Sequence, residues 1–123
     1  SGIGIKNGLY YCNINGITAF DLTTGDVVWV NEDLTQVSSF AFMNNGNVCT
    51  KGAFGSSVYV IGPEGETLNK WDLSAYLINI VISPVIEGVV NGKLRVNMNW
   101  GMIPSNDIYV YLDTDTGAVT YEP

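Results

Sequence analysis

The sequence "AFDLTTGDVVW", residues 19–29, contains a tight turn between two apolar segments. The first segment ends at Asp21, the turn continues through two threonines and Gly25, and two valines then lead to Trp29. Glycine fits the positive-φ position of a short hairpin turn, and aspartate and threonine oxygens can accept hydrogen bonds from turn amides. The stretch therefore predicts a β-hairpin with a tryptophan on its second strand.

The composition indicates one compact all-β domain over residues 1–123. Of these residues, 46% are hydrophobic and only 14% are charged, while 14 are glycines. Apolar segments of strand length alternate with glycine, asparagine, aspartate or proline along the whole chain, as is typical of short strands joined by turns. The best helical candidate, residues 73–82, has β-branched residues in its second half and leads into a Ser-Pro pair, so we predict a connector there.

The turn around Gly25 recurs twice along the chain. Gly65 follows Gly25 by 40 residues, and Gly117 follows Gly65 by 52, with an insertion at residues 100–107 in the last unit. Each unit contains four strand-like segments, and the units cover approximately residues 1–34, 35–74 and 75–123. The predicted strands are 3–6, 9–14, 17–22 and 27–31, then 37–43, 46–51, 57–62 and 66–72, then 79–87, 93–100, 107–113 and 118–122.

Four short antiparallel strands in a repeat of about 40 residues are typical of a β-propeller blade. We therefore predict an all-β propeller segment of three consecutive blades. Because neighbouring blades pack face to face, the large flat ring of Trp29 on an outer strand is expected to cover the gap between two blades.

The turn sequence resembles the repeat signature of the pyrroloquinoline-quinone-like (PQQ-like) β-propellers, A-x-D-x-x-T-G-x-x-x-W. The first unit matches it at five positions: Ala19, Asp21, Thr24, Gly25 and Trp29. The third unit keeps Asp113, Thr116 and Gly117 but has Tyr111 and Tyr121 at the Ala and Trp positions. The second unit keeps Gly65, with Asn69 at the Trp position.

The resemblance implies a ring of about six to eight blades, so three blades form an open arc. We expect a segment of a longer propeller, completed by further blades of the same polypeptide or by self-association. The resemblance also implies a bacterial periplasmic or cell-surface protein.

The residues of a quinone-dependent enzyme are missing from this chain. Dehydrogenases with such propellers have adjacent cysteines, a calcium ion held by Glu, Asn and Asp, and a catalytic Asp. Here Cys12 and Cys49 lie far apart in sequence, and there is no histidine. We predict two free buried thiols, no cofactor, no metal and no catalytic residue. The alternative is a fragment of a quinoprotein dehydrogenase, or of another propeller enzyme, whose active site lies outside this chain.

The charge excludes some partner classes. Five Lys and Arg against twelve Asp and Glu give a net charge of −7, which repels a phosphate backbone and predicts no nucleic-acid partner. No apolar run approaches the roughly 18 residues of a membrane span, so the sequence predicts no such span.

The insertion in the last unit is the predicted binding loop. It presents Trp100, Met102 and Ile103, which offer more apolar surface than a connector requires, and Asn106 is a further candidate binding residue. One alternative is that these side chains fold back over the next blade. We therefore predict a non-enzymatic scaffold that binds a protein or carbohydrate partner through its loops.

Overall fold

A computed structural model describes residues 2–14, 16–34, 36–52, 55–76, 84–98 and 108–122. The described residues form twelve strands and one short 3-10 helix, Ser74–Tyr76. The strands are β1 (Gly2–Lys6), β2 (Leu9–Asn13), β3 (Ile17–Asp21), β4 (Val27–Asn31), β5 (Val37–Phe42), β6 (Val48–Gly52), β7 (Ser57–Ile61), β8 (Thr67–Asp72), β9 (Val85–Val90), β10 (Lys93–Asn97), β11 (Tyr109–Leu112) and β12 (Val119–Glu122). The all-β prediction is confirmed.

The strands form three antiparallel sheets, each a four-stranded meander in chain order. We call them blade 1 (β1 to β4), blade 2 (β5 to β8) and blade 3 (β9 to β12). Two-residue Asn-Gly turns join β1 to β2 and β9 to β10. Asn7 and Asn91 there have φ angles of 52° and 51°, and each glycine after them has a φ of 78°. These are the angles of a tight hairpin whose twist matches that of the strands.

One predicted strand of blade 3 is shifted. We predicted a strand over residues 79–87, whereas β9 spans Val85–Val90 and residues 77–83 lie outside the described part of the chain. The strand continues three residues further because the Asn91-Gly92 turn, rather than Gly88, reverses the chain. Gly88 instead lies where the pairing of β9 with β10 shifts register.

Two apolar clusters hold the sheets face to face. Between blades 1 and 2 the buried side chains are Tyr11, Ile17, Ala19, Leu34, Val48 and Ile61. Between blades 2 and 3 they include Cys49, Val58, Val60, Trp71, Leu73, Ile86, Leu94, Val96, Met98, Val110 and Leu112. Blade 2 therefore buries both of its faces, because alternate residues along each strand point to opposite neighbours. Within the described residues, no helix has the length and apolar character needed to cross a membrane.

Candidate functional site

The turn from β3 to β4, which we call turn 1 (residues 21–26), is closed by short polar side chains. The carboxylate of Asp21 accepts hydrogen bonds from the amides of Thr23 (2.7 Å) and Thr24 (3.1 Å). The Gly25 amide donates to the Asp21 carbonyl (2.8 Å), and the Thr24 hydroxyl accepts from the Asp26 amide (3.2 Å). These bonds provide partners for turn amides that have no hydrogen-bond partner on a neighbouring strand.

The turn from β11 to β12, turn 3 (residues 113–118), repeats this arrangement. The Asp113 carboxylate accepts from the amides of Asp115 (2.9 Å) and Thr116 (3.0 Å), and Gly117 donates to the Asp113 carbonyl (2.8 Å). The Thr116 hydroxyl accepts from the Ala118 amide (3.2 Å). The amides of Thr116 and Asp115 lower the pKa of the Asp113 carboxyl, because they stabilise its charged form. The two turns therefore have the same construction.

The turn from β7 to β8, turn 2 (residues 62–66), is one residue shorter and is covered by Trp29 of blade 1. The indole nitrogen donates to the Pro63 carbonyl (3.1 Å). The ring lies so close over Gly65 that an added Cβ would fall 2.6 Å from its Cδ2 atom. Asn31, two residues further along β4, donates to the Gly65 carbonyl (2.8 Å). Ala19 lies directly opposite Trp29 in the sheet and is fully buried.

Turn 3 is covered by Trp71 of blade 2, a residue that the sequence comparison missed. Its indole nitrogen donates to the Gly117 carbonyl (3.1 Å), and the side chain is 7% exposed. The motif alignment places Asn69 at this position. Asn69 and Trp71 lie opposite Val60 and Val58 on β7, so both face blade 3. Along the outer strand of blade 2, Asn69 therefore precedes Trp71. Along that of blade 1 the order is reversed, and Trp29 precedes Asn31.

Alternation along a strand is the sequence signal that would have found Trp71. Residues i and i+2 of a strand share a face, so either position can bring an indole to the next turn. The structure therefore joins Trp29 to Gly65, and Trp71 to the turn that contains Asp113, Thr116 and Gly117.

Tyr121 does not take the role of a docking tryptophan in blade 3. The β3/β4 and β7/β8 pairs contain a register shift near the turn, but the β11/β12 pairs run without one. Tyr121 consequently lies opposite Val110 on the face toward blade 2, where its ring meets that of Tyr76 at 5.6 Å. Thr120, opposite Tyr111, occupies the face away from blade 2.

The predicted loop residues Trp100, Met102, Ile103 and Asn106 lie outside the described residues. A different surface feature is described beside the turns of blades 2 and 3. It is a depression of about 280 Å³, which we call the turn-side groove. Its lining combines apolar side chains with amide, hydroxyl and carboxylate groups: Phe42, Met43, Asn44, Asn45, Val89, Gly92, Thr114 and Asp115. Sequence analysis missed it because three separate turns contribute to it.

The face of blade 3 that points away from blade 2 is polar. An ion pair joins Arg95 to Glu87 (3.2 Å), and the Arg95 guanidinium lies 4.6 Å from the centre of the Tyr109 ring. A hydrogen bond with the side chain of Tyr111 raises the pKa of Arg95. An open cavity of about 310 Å³ beside Tyr111 is lined by Val90, Asn91, Lys93, Thr120 and Glu122. The described residues include no cluster of three potential metal-ligating side chains.

Both cysteines are free and buried, as predicted. Cys49 is fully enclosed between blades 2 and 3, and this burial raises its thiol pKa to about 12. A native thiol with this pKa stays protonated where an unfolded cysteine, with a pKa of about 8.5, ionises.

We expect this difference in pKa to weaken the fold at alkaline pH. Above about pH 8.5 the unfolded chain binds fewer protons than the native one, so the free energy of unfolding falls as the pH rises. From about pH 7.5 to about pH 9.5 the expected loss is about 1.4 kcal/mol. Urea unfolding at the two pH values measures it, and Cys49→Ala is expected to remove this part of the pH dependence. An equal pH dependence in both proteins would assign the effect to other groups.

Searches found no matching family model and no matching curated protein. Among solved structures, the chain is similar to the β-propeller domain of Cps50 (Swd1) from Myceliophteria thermophila, with a TM-score of 0.57 and 9% sequence identity. The match covers 99% of this chain and 38% of that one. At this identity the likeness concerns the fold alone. Together with the three four-stranded sheets and their interlocked turns, it shows that the chain is a segment of a β-propeller.

Proposed function

We propose that the chain is a non-catalytic scaffold of the PQQ-like repeat family that binds a carbohydrate or protein partner at its loops. Rigidity supports this role, because each tryptophan ties one blade to the turn of the next and fixes the loops relative to one another. The complete five-residue motif of blade 1 supports the family. A bacterial periplasmic or cell-surface location is proposed from that resemblance.

The turn-side groove is the observation that carries the proposal. Amide and hydroxyl groups beside an apolar floor fit a sugar, whose ring has both hydroxyl edges and apolar C–H faces. Asn44 and Asn45 contribute amides, Phe42 and Met43 contribute apolar surface, and Asp115 contributes a carboxylate that repels anions. The net charge of −7 also disfavours acidic ligands. We therefore expect a neutral oligosaccharide rather than a sugar acid.

Binding of neutral and acidic oligosaccharides to an array tests this role. We expect a neutral glycan to bind and expect Asn44→Ala to weaken it about tenfold, the loss of roughly one hydrogen bond in a solvent-excluded contact. Asp115→Ala is expected to have a similar effect. Glu64→Ala is the matched control, because it removes an exposed carboxylate from turn 2, outside the groove. The proposal would be contradicted if the groove variants bound glycans as well as the unsubstituted chain does, or if only acidic glycans bound.

The insertion in blade 3 provides a separate test of partner binding. Deleting residues 101–104 is expected to leave the far-ultraviolet circular dichroism and the unfolding midpoint unchanged while binding of the partner falls. The reason is that a binding loop contributes contacts to the ligand and little to the core. If the deleted chain unfolds, the apolar side chains of this loop cover a blade instead.

A further inference from the structure

β4 is the outer strand of blade 1, and it is paired on one side. It comes last in the order of its sheet, where β3 is its neighbour. An edge strand of this kind presents N–H and C=O groups to which another extended chain can bind. Neighbouring blades pack on the faces of a blade rather than on its outer edge, so this edge stays accessible whatever covers the faces of blade 1.

The backbone of Val30 points to this open edge. Backbone groups of successive strand residues point alternately to the two sides of the strand. The Asp21 amide donates to the Asp26 carbonyl, on the β4 side of β3. Thr18, three residues earlier, therefore points to β2, and its pair partner Val30 points away from β3. Among the described residues, no loop or side chain forms a hydrogen bond with the Val30 backbone.

The side chains along this edge are apolar and uncharged. Val27, Val28 and Val30 are 55%, 51% and 44% exposed, and β4 contains no charged residue. The outer strands of the other two blades differ in this respect, because β8 contains a lysine and an aspartate and β12 ends in a glutamate. Charged side chains commonly protect an edge strand against pairing, and β4 is the outer strand that lacks them.

Acidic residues flank β4 at both ends. Asp26 precedes the strand, Glu32 and Asp33 follow it, and all three are exposed. No Lys or Arg occurs in the sequence between Lys6 and Lys51, so the charged residues of blade 1 beyond β1 are all acidic. A strand added along β4 would bring its own ends close to these carboxylates. Lys or Arg at those ends would be favoured, because opposite charges on neighbouring strands attract.

We propose that the open edge of β4 binds an extended peptide of a partner protein, with β-branched residues at its centre and Lys or Arg at both ends. Hydrogen bonds with the Val30 backbone add the peptide to blade 1 as a further strand. Its central side chains pack on the exposed valines, and its cations lie near Asp26 and Glu32. The site is separate from the turn-side groove beside blades 2 and 3, so it does not depend on the binding of a glycan there.

A second copy of this chain fits the edge less well than a basic peptide does. Its β4 would bring the same acidic flanks, and residues 7–50 of neither copy supply a Lys or Arg to pair with them. In antiparallel pairing centred on Val30, Glu32 of each copy would lie opposite Val28 of the other. The charge therefore favours a partner strand of different sequence with cationic ends.

Fluorescence anisotropy with the labelled peptide Lys-Val-Thr-Val-Thr-Val-Lys tests the proposal on the 123-residue chain. We expect this peptide to bind, and we expect the same peptide with glutamate in place of both lysines to bind about tenfold more weakly or worse. Hydrogen exchange gives a second readout. The amide of Val30 is expected to exchange about tenfold more slowly or more with the basic peptide bound, because the amide then donates to the peptide backbone.

Val30→Pro removes the N–H that points to the open edge. Proline is tolerated in edge strands where the N–H faces solvent, so we expect the far-ultraviolet circular dichroism to be kept while the affinity for the peptide falls about tenfold or more. Val30→Thr is the matched control. It keeps the N–H and the β-branched shape, and we expect it to bind the peptide within about twofold of the unsubstituted chain.

The double variant Asp26→Asn, Glu32→Gln tests the charges without changing the backbone, and it decides the question if Val30→Pro unfolds the chain. We expect it to weaken binding of the basic peptide several-fold and to reduce the dependence of binding on salt. Unchanged binding and salt dependence would contradict the role of these carboxylates.

Three results with the peptides would overturn the proposal. They are no binding of the basic peptide, equal binding of the glutamate peptide, and unchanged binding by a folded Val30→Pro variant. A further result would replace the partner peptide by a second copy of this chain. That result is a dimer in light scattering which becomes a monomer with Val30→Pro.

Discussion

Trp71→Ala is expected to lower the free energy of unfolding by about 4 kcal/mol, which is within the range for a buried tryptophan in a core. The side chain is 7% exposed and belongs to the cluster between blades 2 and 3. The substitution leaves a cavity there and also removes the hydrogen bond to the Gly117 carbonyl. Urea unfolding followed by circular dichroism measures the loss.

Two further variants separate the causes of this loss. Trp71→Phe keeps most of the apolar volume and is expected to lose about 1 to 2 kcal/mol, chiefly through the unmade hydrogen bond to turn 3. Trp29→Ala is expected to lose about 3 kcal/mol, less than Trp71→Ala, because Trp29 is only half-buried. A loss below about 0.5 kcal/mol for either tryptophan would contradict its role in joining blades.

Local sequence patterns were sufficient to predict most of the strands and turns; the exception is β9, which continues to the Asn91-Gly92 turn rather than ending near Gly88. The signals used were the alternation of apolar and polar residues and the placement of glycines. Both are properties of residues close together in the sequence, so they can be recognised without knowing the tertiary structure. The motif at residues 19–29 also contains the turn chemistry, since Asp21 and Thr24 accept hydrogen bonds from amides within five residues.

Contacts that depend on register or on distant turns were not predictable in the same way. The missing register shift in β11/β12 turns Tyr121 toward blade 2, and register depends on how two strands pair rather than on neighbouring residues alone. The motif alignment places Asn69 at the tryptophan position, but Trp71 donates the hydrogen bond to turn 3. Both positions on β8 face blade 3, so the alignment alone does not identify the donor. The turn-side groove combines residues near positions 43, 90 and 114, which only the packing of blades 2 and 3 brings together.

Gly16→Ala is expected to have an effect of similar or greater size, about 4 kcal/mol or more. Gly16 is buried at a φ of 100°, and an added Cβ would lie 2.7 Å from the Leu34 carbonyl oxygen and closer still to that of Asn31. Both obstructing atoms belong to the backbone, so the connection from blade 1 to blade 2 would have to move. That movement would also displace the Asn31 amide from the Gly65 carbonyl.

Gly8→Ala is the control that isolates the collision from the backbone strain. Gly8 has a φ of 78°, but an added Cβ there meets no described atom within 4 Å. This variant is expected to lose only about 1 kcal/mol, the strain of placing an L-residue at positive φ. The difference between the two losses of unfolding free energy then measures the close approach at Gly16. Equal losses would mean that the connection between the blades yields to a methyl group.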